Sequence, residues 1–212
     1  MEKLLKNLSS KIIDMDPDDA AELTEQAVEE GIETEKILKT ACIPAMEKVG
    51  EEYESGERHV PGMLLSAEAM KNSMKIIRPL LAESGIEPEA KIVIGTVEGD
   101  LHDIGQNLVA MMLEGAGFEV NNLGTETTAD QFIDAIEEDG ADVLGMSALF
   151  TTTRSHMPEV IEALEEKGLK EETKVIIGGA PVTDEFAERI GADRYAPDAV
   201  SATRLVKELL KK

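Results

Sequence analysis

The chain is poor in several things, and each absence removes a class of function. It has one cysteine, Cys42, so no internal disulfide can form, which fits a reducing cytoplasm. Cys42 lies in a helical pattern beside Ile43 and reads as a small core residue. No Lys/Arg cluster exists beyond the tail pair Lys211-Lys212, and the net charge is −23. A nucleic-acid partner would need a basic patch, so none is expected. The acid excess is spread along the chain and reads as a solvated surface, with selection of a basic partner left open. No apolar run approaches the roughly 18 residues of a membrane-spanning helix. The start, Met1-Glu2-Lys3-Leu4-Leu5-Lys6, lacks a long apolar segment and a small-residue cleavage site, so a secretory signal is not expected. The three histidines, His59, His102 and His156, share no metal-ligand spacing, and there is no cysteine pair. A metal site built from protein ligands alone is therefore not expected.

What is present falls into two patterns. From residue 1 to 83 every periodic signal is helical. Leu4, Leu8 and Ile12 mark one face of a first helix. Asp16-Pro17-Asp18-Asp19 starts a second: an Asp cap, Pro at the first helical position, acids in the first turn. A third runs from near Thr34 through Val49, with a kink predicted at Pro44. A fourth follows Pro61 and carries Met63, Leu64, Ala67, Met70, Met74 and Ile77. This is the pattern of a four-helix bundle. Residues 84–90, with Gly85 and Pro88, read as a linker.

From 91 to 212 short apolar runs alternate with helical patterns. Strands are predicted at 91–97, 118–123, 143–147, 174–177 and 194–196, with helices at 106–115, 129–138, 157–166, 183–190 and 199–210. Thr128 and Gln131 form a capping box in this scheme. Five strands separated by helices imply a parallel, doubly wound sheet, which binds ligands at the carboxyl ends of its strands.

The loop after the first strand, Glu98-Gly99-Asp100-Leu101-His102-Asp103, then decides among ligands. It lacks G-x-G-x-x-G, and acids stand where a pyrophosphate would sit. No Gly-Lys-Ser/Thr phosphate loop exists. Ser147 closes the third strand where a receiver domain would carry Asp, and no hydroxyl lies between Val97 and Gln106 to hold a flavin phosphate. The loop offers an imidazole with a carboxylate two residues away. A metal-bound histidine commonly donates its second N–H to such a carboxylate, and a lone strong ligand suits a metal that arrives in a macrocycle. By spacing alone, a solvated histidine at a helix start fits equally well.

Three motifs resemble those of a known family. Asp100-x-His102-x-x-Gly105, Ser147-x-Leu149 and Gly178-Gly179 resemble the signature of cobalamin-binding domains. Such domains occur in methionine synthase, in corrinoid proteins of methylamine, methanol and glycine betaine methyltransferase systems, and in base-off mutases. The intervals match as well: 41 residues separate Gly105 from Ser147 and 28 separate Leu149 from Gly178. Gly56-Glu57-Arg58-His59-Val60-Pro61, followed by Ser66-Ala67 and Ala69-Met70, resembles the helical cap of the methyltransferase members.

The resemblance implies a helical cap over 1–83 and a flavodoxin-like α/β cobalamin domain over 91–212. The implied cofactor is cobalamin or a related corrinoid, cycling between methylcobalamin and cob(I)alamin. His102 would be the lower axial ligand to cobalt, replacing the cofactor's own base. Asp100 would accept the hydrogen bond from the other ring nitrogen, and Thr153 would extend that relay. Asp103 belongs to the same cofactor-facing loop. Ser147, Leu149 and Thr151 would line the pocket for the displaced nucleotide tail. Gly178 and Gly179 would let the tail pass close to backbone, with Gly105 giving similar clearance. Val60, Met63 and Met70 would cover the upper corrin face, although a Met63–Met70–Met74 stripe equally fits bundle core. Solvated loop placement is expected for His59, and a helix-start position for His156.

The implied function is methyl carriage in the cytoplasm by a subunit that is itself non-catalytic. The partners would be a substrate-specific methyltransferase, an acceptor methyltransferase using tetrahydrofolate or coenzyme M, and a corrinoid-reducing activase. A radical mutase subunit, a cobalamin sensor or store, and a flavodoxin-like domain without a corrin stand as alternatives.

Overall fold

The computed structural model describes residues 1–86 and 88–211; Glu87, within the expected linker, and Lys212 lie outside the described residues. The chain divides into two compact units, Met1–Pro88 with Met111–Gly117, and Glu89–Ala110 with Phe118–Lys212.

The helical unit is built from α1 (Glu2–Ile13), α2 (Pro17–Glu29), α3 (Thr34–Ile37), α4 (Ile43–Glu54) and α5 (Val60–Glu83). Helix α1 buries Leu4, Leu5, Leu8 and Ile12, the 3–4 spacing of an amphipathic face. Asp16 caps α2 through the Asp19 N–H, with Pro17 behind it. The third predicted helix is not one α-helix. A π-helical turn, Leu38–Cys42, separates α3 from α4 and leads straight into Pro44. Proline offers no N–H and its ring crowds the carbonyl four residues back, so the widened turn absorbs the predicted kink without breaking the rod. Between α2 and α5 the buried Thr24 hydroxyl donates to the Ala20 carbonyl at 2.7 Å and lies 2.9 Å from the Ser73 hydroxyl. Met63 and Met70 are fully buried in this bundle and Met74 nearly so.

Arg58 ties the turn before α5 to the rest of the bundle. Its guanidinium holds Glu52 Oε2 at 2.7 and 2.9 Å, the Ile13 carbonyl at 2.8 Å and Ser66 Oγ at 3.1 Å. Removing one partner of a largely buried pair strands the other. Arg58→Ala is therefore expected to destabilise the bundle by about 3 kcal/mol in urea unfolding. A change below about 0.5 kcal/mol would show the cluster to be an exposed, screened pair instead.

The α/β unit contains β1 (Lys91–Thr96), α6 (Ile104–Gly115), β2 (Glu119–Asn122), α7 (Ala129–Asp139), β3 (Val143–Ser147), α8 (Met157–Glu166), β4 (Lys174–Gly178), α9 (Asp184–Ile190), β5 (Arg194–Ala196) and α10 (Ala199–Leu210). A 3-10 turn, Thr153–His156, precedes α8. All strands pair in parallel, in the order β2-β1-β3-β4-β5. The flavodoxin-like doubly wound sheet expected from the alternation is what forms. The Thr128–Gln131 capping box is present in both directions. The core joins Val93, Leu144, Val175 and Ile177 of the sheet to Phe132, Ile136, Met157, Ile161 and Leu164 of the helices. Among the described residues no helix is long and apolar enough to cross a membrane.

Candidate functional site

In this strand order the chain leaves β1 toward β2 on one side, then returns to place β3 on the other. The loops after β1 and β3 diverge, opening the crevice where such sheets bind ligands. Asp100 and His102 sit on the first loop, Leu149 and Thr153 on the second.

Gly99, at φ +76, turns the chain so that Asp100 points inward. Asp100 is fully buried, 0 % exposed, and is held from three strand ends. Its Oδ1 lies 2.8 Å from His102 Nδ1 and accepts the His102 N–H at 3.1 Å. Its Oδ2 accepts the Leu149 N–H at 2.6 Å and the Thr153 hydroxyl at 2.7 Å. Its carbonyl accepts the Glu126 N–H, for which Glu126 adopts a left-handed φ of +54. The Thr96 hydroxyl donates to the His102 carbonyl at 3.2 Å. A carboxylate at Nδ1 fixes the neutral imidazole with its proton there and its Nε2 lone pair free. The His102 side chain is 48 % exposed, and Nε2 makes no hydrogen bond among the described residues.

Several exposed apolar side chains share these strand-end segments with His102. Leu101, Leu149 and Phe150 on the two loops, and Ile104 at the start of α6, are all exposed, Ile104 by 79 %. A Cβ built on Gly105 meets nothing within 4 Å. A broad ligand with apolar faces would cover these groups; a simple ion would not.

Two family models, both described as B12 binding domain, match residues 90–204 and 4–78. A corrinoid protein of Desulfitobacterium hafniense (strain Y51) is 42% identical over 99% of this chain and 98% of its own. The dimethylamine corrinoid protein of Methanosarcina barkeri is 39% identical, with 99% and 98% covered. In three dimensions the chain is similar to the methanol:cobalamin methyltransferase complex of Methanosarcina barkeri, at TM-score 0.87 and 27% identity, covering 98% of this chain and 80% of that one.

The chain belongs to the B12-binding corrinoid proteins.

A corrinoid is therefore the cofactor. The residues present fit one, by the outward Nε2 of His102, the apolar rim and the open space over Gly105. The other sequence-predicted residues of this corrinoid protein divide into three groups. Asp103 and Thr151 are exposed, Ser147 is half-buried at the end of β3, and Leu149 reaches Asp100 through its main chain rather than its side chain. Gly178 and Gly179 have a reason beyond clearance for a tail. A Cβ on Gly178 would lie 2.9 Å from the Ala196 carbonyl oxygen, and one on Gly179, at φ +116, 1.9 Å from that of Ala148. Both are required by the chain's own backbone.

In the helical unit Val60 is exposed, whereas Met63 and Met70, with no exposed surface, are bundle core. Full burial at helical spacing is the packing of a bundle core. His59 is exposed at the start of α5, and His156 Nδ1 pairs with Glu159 at 3.0 Å.

Sequence reasoning missed Thr96, Glu126 and Phe150. Phe150 stacks edge-to-face on His102, ring centroids 4.9 Å apart at 82°. The available signal was an aromatic side chain on a strand-end loop.

Burial pushes the Asp100 carboxyl up, but the bonds from Leu149, Thr153 and His102 outweigh it and hold its pKa at about 2. An unfolded Asp titrates near ~3.9. The ionised group thus contributes stability that is fully present above about pH 4 and is lost as pH falls toward 2. Asp100→Asn is expected to cost about 2 kcal/mol at pH 7 by urea unfolding, with the gap to the unmodified protein narrowing between pH 4 and 2. A gap that stays constant down to pH 2 would contradict this.

Proposed function

We propose that this corrinoid protein carries methyl groups between two enzymes, holding its cofactor through His102. The carrying observation is the buried Asp100 carboxylate, bonded at once to His102, Leu149 and Thr153 across the β1/β3 crevice. When bound, the corrinoid supplies a cobalt centre able to take up and release a methyl group. The chain's part is to present the Nε2 lone pair, with Asp100 holding the proton on Nδ1. The Thr153 hydroxyl and Leu149 N–H keep that carboxylate ionised and in place, and the apolar rim excludes water from it. His102 would hold the group through Nε2, and the strength of the Asp100 bond at Nδ1 would tune how good a ligand that nitrogen is.

The implied partners are a substrate-specific methyltransferase, an acceptor methyltransferase using tetrahydrofolate or coenzyme M, and an activase that re-reduces oxidised cofactor. The methyltransferase partner has support in the methanol:cobalamin complex that the chain is similar to. The place of this traffic is the cytoplasm, in keeping with the one buried, unpaired Cys42.

The test loads the protein with cobalamin, reduces it, methylates it with methyl iodide and adds an acceptor methyltransferase with its thiol or folate. Demethylation well faster than from free methylcobalamin is expected. An equal rate would remove the carrier role, and radical turnover with adenosylcobalamin would favour a mutase subunit.

A further inference from the structure

We propose that Phe150 is a positioning residue for His102: its ring fixes the imidazole plane so that Nε2 faces the corrin. This rests on the reading of His102 as the cobalt ligand. Of the four phenylalanines, Phe118, Phe132 and Phe186 are buried, and Phe150 is 52 % exposed. Phe150 instead lies on the loop after β3, beside Leu149 and Thr153, which bond to Asp100. Its contact there is the His102 ring, in the T-shaped geometry that aromatic pairs prefer.

The backbone under Phe150 is held by the same groups that hold the histidine. The Phe150 N–H donates to Thr153 Oγ1 at 3.3 Å, and its carbonyl accepts the Arg154 N–H at 3.0 Å. Thr153 Oγ1 also donates to Asp100 Oδ2, and the neighbouring Leu149 N–H does the same. One carboxylate thus fixes His102 on one side and, through Thr153 and Leu149, the carrier of Phe150 on the other.

The two restraints on the imidazole are complementary. The Asp100 bond, a single contact at Nδ1, restrains the ring but tolerates some rotation about Cβ–Cγ. An aromatic edge against the ring blocks that rotation, which is what aims Nε2. Thr153 therefore does more than extend a relay: it couples the bond at Nδ1 to the packing that orients the ring.

The experiment compares the unmodified protein with Phe150→Leu and Phe150→Tyr, each loaded with cobalamin. Electron paramagnetic resonance of the cobalt(II) form reads the imidazole-nitrogen splitting, and absorption titration reads cofactor affinity. Aromatic pairs of this kind are worth about three- to tenfold in an equilibrium constant. Phe150→Leu is expected to lower the ratio of imidazole-coordinated to uncoordinated cobalt by that factor, with affinity changed less. Phe150→Tyr should restore it. In the cofactor-free protein, the ring-current shift of the His102 protons should vanish in the Leu variant and persist in the Tyr variant. An unchanged coordination ratio in Phe150→Leu overturns the inference, and so does an equal loss in both variants. Absence of imidazole splitting in the unmodified protein would overturn the ligand assignment itself, which is a different failure.

Discussion

His102→Ala is expected to abolish the imidazole-nitrogen splitting in the cobalt(II) spectrum of the cobalamin-loaded protein, leaving a spectrum without protein nitrogen. The effect is all-or-none because Nε2 of His102 stands alone. Alanine offers no nitrogen at this position, and the neighbouring Asp100 and Asp103 side chains bring only oxygen. The fold should tolerate the change, since the side chain is half exposed and its main-chain bonds to Asp100 and Thr96 survive in alanine. The Asp100 carboxylate would lose one of its four bonds, worth about 1 kcal/mol in urea unfolding. Persistence of the splitting would reassign the ligand, and the remaining histidines to examine would be His59 and His156.

Gly179→Ala should be the most damaging single-methyl change in the chain. The added Cβ would stand 1.9 Å from the Ala148 carbonyl oxygen, a backbone atom that cannot rotate away, at a φ of +116 that L residues rarely adopt. Strain and overlap together predict a loss of about 4 kcal/mol or more, enough to unfold a marginal domain. Gly105→Ala is the paired control. Its Cβ would meet nothing within 4 Å, so stability by thermal unfolding should be kept. Cobalamin affinity should fall, because the space over Gly105 is where the cofactor would pass. The opposite pattern, a stable Gly179→Ala or an unstable Gly105→Ala, would show that the two glycines had been assigned the wrong roles.

This pairing shows where a motif stops being informative. Asp100-x-His102-x-x-Gly105 and Gly178-Gly179 look alike as parts of one signature. Only the strand positions reveal that Gly105 faces open space while Gly178 and Gly179 let β4 and its loop pass against Ala196 and Ala148. Pro44 is a similar case. Its sequence announces a disturbance, but the choice of a π turn over a break depends on the surrounding packing, which holds Ala41, Cys42 and Ala45 inside the bundle.

What the sequence by itself determined is the part governed by local rules. Period 3.6 against period 2, the Asp16-Pro17 start and the Thr128–Gln131 box placed the elements, and the absent phosphate motifs with the three spaced signatures pointed to the ligand. These signals lie within a few residues of each other or at fixed intervals, so they survive in a linear string. Only the tertiary structure decided that Asp100 is wholly buried, with bonds from residues 49 and 53 positions away. It also decided that Met63 and Met70 are buried and that Phe150 lies on His102. The reason is physical: burial and charge stabilisation depend on which strand ends meet. That juxtaposition is fixed by sheet order, which the spacing of residues along the chain does not carry.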